Sequence, residues 1–142
     1  MSALSLEQAN SIIAAALAKG SELALKPLSV AVLDPGGHLV AFQRADGASN
    51  LRPQIAIAKA AGALALGVSS RKLGEMAVER PTFVGALGPI APHGVMPAAG
   101  GVIFIDASGR PLGAVGVTGD SSDNDELCAL AGLSAAGLQP QS

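Results

Sequence analysis

With 142 residues, three phenylalanines and neither tryptophan nor tyrosine, the chain must build its core from alanine, valine, leucine and isoleucine. That length suits one domain, residues 1–142, burying roughly two thirds of the surface its unfolded form exposes. A net charge of −2, with no basic run and no aromatic platform for stacking, argues against a nucleic-acid partner.

The elements follow in order. Ser5 with Gln8 has the spacing of a capping box, and Leu4 is placed to staple against Ala9. Leu6, Ala9, Ile13 and Leu17 then fall on one helical face, so a first helix runs to about Gly20 or somewhat beyond, with Pro27 as its stop. Two apolar runs, Leu28–Leu33 and His38–Gln43, flank the turn Asp34-Pro35-Gly36-Gly37 and read as a hairpin. After the loop Asp46–Asn50, Pro53 marks the start of a second helix, Ile55 to about Leu66. That helix is alanine-rich, interrupted by one charge at Lys59, and a helix apolar nearly all round belongs in the interior.

Ser69 or Ser70 caps a shorter helix through Glu79, which Pro81 ends. Thr82–Gly100 carries too many prolines and glycines for regular structure, and a long irregular segment in a compact domain is often functional. A second hairpin pairs Val102–Ile105 with Leu112–Val117 across Asp106–Arg110. Its Gly113 and Gly116 allow a helix or another subunit to approach the sheet. The acids from Asp120 to Glu126 open a last helix, with Ser122 and Asp125, or Asp123 and Glu126, at capping spacing. Helix, hairpin, two helices, hairpin, helix predicts an α+β sandwich with an antiparallel sheet.

The single Cys128 has no disulfide partner and reads as a buried small hydrophobe. No signal-peptide pattern opens the sequence, and the uncharged stretch Pro81–Ile105 is too broken by proline for a membrane helix. A cytoplasmic protein without a membrane partner is expected, and its low charge and high apolarity point to self-association.

Chemistry-bearing side chains are few. His93, in the loop Pro89–Gly94, is either a structural residue or a base or ligand over a pocket. His38 lies at a turn with no second metal ligand nearby in sequence. Arg44, Asp46 and Arg52 bracket one loop, and two arginines can grip a carboxylate. Asp120, Asp123, Asp125 and Glu126 lack the spacing of a calcium loop, and capping accounts for at least two of them. A carboxylate beside His93 would make an acid–base pair. Gly100 and Gly101 lack the lysine and the spacing of a phosphate loop.

Val30–Phe42, with Arg44 and Asp46-Gly47-Ala48, resembles the first hallmark of the GlcG/HbpS heme-binding family. Lys59-Ala60, Leu112–Gly119 and Asp125-Glu126 are similar to its second. The resemblance spans about residues 5–137 and implies a profilin-like α/β sandwich with a five-stranded antiparallel sheet flanked by helices, its fifth strand from Met96–Gly100. It also implies dimers or larger rings such as octamers, and heme or a small acidic metabolite as ligand. The first-helix histidine that serves some relatives as axial ligand is absent from Leu4–Lys26, as are Glu-x-x-Glu iron motifs.

The expected function is therefore small-ligand binding through Arg44, Asp46, Arg52, His93, Gly100, Asp125 and Glu126, with no metal. The alternative is a cofactor-independent lyase, isomerase or hydratase acting on a small carboxylated metabolite, with His93 or Glu126 as the catalytic base.

Overall fold

A computed structural model describes residues 3–142. Helix α1 spans Leu6–Glu22 and opens on the predicted capping box, with the Gln8 amide N–H on Ser5 Oγ and the Ser5 amide N–H on Gln8 Oε1, both at 3.1 Å. It ends four residues short of Pro27, because Ala24 turns left-handed (φ 56°) and Leu25 N–H bonds back to Gly20 O. Strands β1 (Ser29–Leu33) and β2 (Leu39–Arg44) form the first hairpin, and β3 (Gly101–Ile105) and β4 (Pro111–Thr118) the second. Between the hairpins lie α2 (Arg52–Leu66), α3 (Ser70–Glu79) and α4 (Pro81–Leu87), then one 3₁₀ turn at Gly88–Ile90. Helix α5 (Ser122–Ala135) and the two-residue strand β5 (Gln139–Pro140) complete the order.

The sheet is antiparallel throughout, in the order β2-β1-β4-β3-β5, so the hairpins join through β1 and β4. Strand alternation divides the core between its two faces. Val30, Val32, Val102, Phe104, Val115 and Val117 pack under α1 and α5, around Ile12, Ile13, Cys128 and Leu133. Ala31, Leu33, Ile103 and Ala114 face the other way, against Ala56, Ala60, Ala61 and Ala63 of α2. Two glycines set the closeness of that second layer. Gly116 is paired with Gly101, and a Cβ on either would collide with a carbonyl oxygen of α2, that of Ala56 or of Lys59.

Three expectations change. The fifth strand is Gln139–Pro140 on the outer edge of β3, whereas Met96–Gly100 forms no strand: it passes α3 and leads into β3, with Gly100 O accepting the Val117 N–H. Just before it Val95 lies against Gly62, and within it Pro97 O lies 2.9 Å from where a Gly74 Cβ would stand. Thr82–Gly100 is not irregular throughout: Pro81 ends α3 and also starts α4, in the first turn of which its missing N–H costs no hydrogen bond. The cap of α5 is Ser121, whose Oγ accepts the Asn124 N–H at 3.2 Å. That shift of one residue frees Asp125 from capping.

Candidate functional site

Polar groups gather at the end of the sheet where β1 begins and β2 and β4 finish. The register sets Arg44 of β2 opposite Ser29 of β1, and Ser29 opposite Thr118 of β4. Directly paired residues of an antiparallel sheet share a face. The three side chains therefore form one row on the α2 side. The first residue of α2, Arg52, reaches down to this row, its Nη1 donating to Thr118 Oγ1 at 2.7 Å. Among the described residues neither Arg44 nor Arg52 has a carboxylate partner; Arg44 makes one long contact, Nη1 to Asn50 Oδ1 at 3.4 Å. The Ser29 hydroxyl, between Arg44 and Thr118 in the row, is buried and has no hydrogen-bond partner among the described residues.

Two turns along α2, Lys59 is the one charge beyond the helix's first residue, and it is buried. Its Nζ donates to Val117 O at 2.9 Å and to Asp125 Oδ2 at 3.1 Å. Asp125 is buried as well, and its Oδ1 accepts the Asp120 N–H at 2.9 Å. Burial pushes the Lys59 ammonium below its ordinary range, against the pull of Asp125. Gly100 (φ 130°) is required here, since a Cβ would collide with the Val117 carbonyl oxygen and stand 2.8 Å from Lys59 Nζ. Asp120 closes the rim: Oδ1 accepts the Lys26 N–H, and Oδ2 the Ser121 N–H and the Asn124 amide. Led by the Asn124 amide, these bonds hold its carboxyl at about 2. Beside them opens a hollow of about 200 Å³, lined by Lys26, Pro27, Gly47, Ala48, Ser49, Arg52 and Gly119.

Of the predicted site residues, Arg44, Arg52, Gly100 and Asp125 meet at this end. Asp46 is exposed on the loop between the arginines and bonds to neither. Glu126 turns to Arg71 of α3, whose Nε donates to both carboxylate oxygens at 3.0 and 3.1 Å while Nη2 holds Asp123. His93 is elsewhere. It is exposed at a hollow of about 140 Å³ formed with Pro35, Gly36 and Gly37 of the first hairpin turn and with Ala61, Leu64 and Ala65 of α2. That turn follows Leu33, at the other end of β1 from Ser29, about 13 Å along the strand. Within one chain, His93 and Glu126 therefore do not form an acid–base pair. His38 leans on its own turn, Nδ1 at 3.1 Å from Asp34 Oδ1.

The sequence reading missed Lys59, Ser29 and Thr118 as site groups. Only Lys59 carried a signal, a lone ammonium in a helix otherwise fit for burial.

An open antiparallel sheet with helices on both faces, and a polar rim at one end, defines an α+β sandwich of profilin-like form. The chain belongs to the HbpS-like family, described as haem degrading protein HbpS-like, whose model matches residues 4–134. The crystal structure of HbpS is 30% identical over 94% of this chain and 90% of its own, with a TM-score of 0.80. Klebsiella pneumoniae protein ORFY is 26% identical over 94% of this chain and 90% of its own, at 0.84. The haem complex of PduOC, 22% identical over 99% of this chain and 100% of its own, shares the fold at 0.87. No curated protein sequence matches the chain.

Proposed function

We propose that this chain is a one-domain, cytoplasmic, small-ligand-binding protein of the HbpS type that works as a homo-oligomer. Its ligand is an acidic metabolite whose carboxylate docks on Arg52. The observation that carries this reading is an arginine beside a hollow of about 200 Å³ with no carboxylate partner among the described residues. A guanidinium offers five donors in a planar fork, and here one goes to a hydroxyl, Thr118. Family membership supports ligand binding, and self-association is supported by Leu51, Val78 and Ile90, which are 63%, 83% and 79% exposed. No helix of the described residues is long and apolar enough to cross a membrane.

Haem is the group that the family description brings to mind, and one chain by itself fits it poorly. Helix α1 has no histidine, the His38 ring is engaged with Asp34, and the hollow at His93 is about 140 Å³. A macrocycle the size of haem needs a pocket within or above the roughly 300–1,000 Å³ typical of drug-sized ligands. Haem coordination would therefore draw on more than one copy.

Butyrate titration followed by calorimetry tests the carboxylate reading. Saturable binding that Arg52→Ala weakens at least about tenfold is expected, since a charged hydrogen bond is worth roughly 1.5–3 kcal/mol. Equal binding by the wild type and the variant would overturn it. Hemin titration read at the Soret band tests the haem branch, and light scattering on a sizing column tests the assembly.

A further inference from the structure

Resting on the Arg52 reading, we propose that the ligand of this rim is a dicarboxylate, with its second carboxylate taken by Arg44. The two arginines bound the loop of residues 45–51, and neither has a carboxylate partner among the described residues. Arg44 stands two strands from Thr118, a backbone separation of about 10 Å. Its guanidinium turns back along the loop to Asn50, two residues before Arg52, so both positive heads are drawn to the same end of that loop.

Of the other charges at this end, Lys59 is neutralised by Asp125, whereas Lys26, whose backbone N–H goes to Asp120, lines the hollow and forms no ion pair among the described residues. Asp46 is exposed and bonded to neither arginine. In the sheet row, between Arg44 and the Thr118 that Arg52 bonds, lies the Ser29 hydroxyl, fully buried and with no hydrogen-bond partner among the described residues. A buried hydroxyl without a partner is a standing cost, and a binding site is where such a cost persists. A single carboxylate would satisfy one guanidinium and leave the other unmatched. Two carboxylates on a short skeleton would engage both forks.

Succinate and butyrate, acids of equal chain length, separate the alternatives by calorimetry on the full chain. Succinate should bind at least tenfold more tightly to the wild type. Arg44→Ala should bring succinate close to the butyrate level and weaken butyrate far less, and Arg52→Ala should weaken both. Butyrate bound through Arg52 with no preference for succinate would overturn this proposal and leave the simpler reading standing, as would an Arg44→Ala variant that weakens both acids alike. Failure of both acids to bind would overturn the two readings together. Competition by protoporphyrin IX, but not by its dimethyl ester, would keep the paired-carboxylate chemistry and assign its source to a tetrapyrrole; displacement by neither would assign it to a small diacid.

Discussion

Replacing Lys59 by methionine leaves Asp125 buried without its counter-ion. Both side chains are at most 3% exposed, so solvent cannot take over the lost partner. The ammonium also donates to Val117 O, at the edge where Gly100 meets β4. Breaking one side of a buried pair costs about 3–5 kcal/mol. Against a total stability of about 5–15 kcal/mol, that is a drop of roughly 10–15 °C in Tm. Asp125→Asn should cost a similar amount, since it strands the ammonium, although Asn keeps an acceptor for the Asp120 N–H. The double variant should cost no more than the worse single one, because it removes both charges together. Urea denaturation of the four proteins gives the coupling energy. Single losses below about 1 kcal/mol that simply add would refute the view that this pair pins α2 to α5.

The remaining predictions follow from other groups. The Asp120 carboxyl falls from 3.8 to about 2 on folding, so the folded protein binds fewer protons between those values. Its contribution is therefore complete above about pH 4 and lost as pH drops toward 2. Acid unfolding followed by circular dichroism should be shallower over that window in Asp120→Asn, and parallel curves would contradict the assignment. Burial, with Asp125 next in weight, pushes the Cys128 thiol up to about 11. Native protein should resist thiol-reactive dyes at pH 8 and react once unfolded; prompt native labelling would place Cys128 at the surface. Gly116→Ala drives a methyl into the Ala56 carbonyl, costing about 1–3 kcal/mol or more. Gly109→Ala, with open space around it, should show only the strain of its left-handed turn (φ 86°), and equal losses at both positions would refute the packing argument.

Much of the fold was legible because it depends on local rules. The box at Ser5 and Gln8, the Asp-and-Gly turns at 34–37 and 106–109, and the alternation of Val30, Val32, Val115 and Val117 each act within a few residues. Pro81 was legible as a stop but not as a start, since proline suits both positions. The edge strand was misplaced because Gln139–Pro140 is two residues long, and only the open flank of β3 makes a strand of it.

The site divides on the same line. Composition and pattern by themselves determined an alanine-packed sandwich, two hairpins, a buried second helix and arginines at both ends of one loop. Tertiary structure alone decided that β1 pairs with β4, which sets Arg44, Ser29 and Thr118 in a row beneath Arg52, brings Lys59 to Asp125, and sends His93 to the far end of the sheet. Strand register is a long-range choice, taken over separations such as the 89 residues from Ser29 to its partner Thr118. It is made by the burial of whole faces, so no local motif along the chain records it.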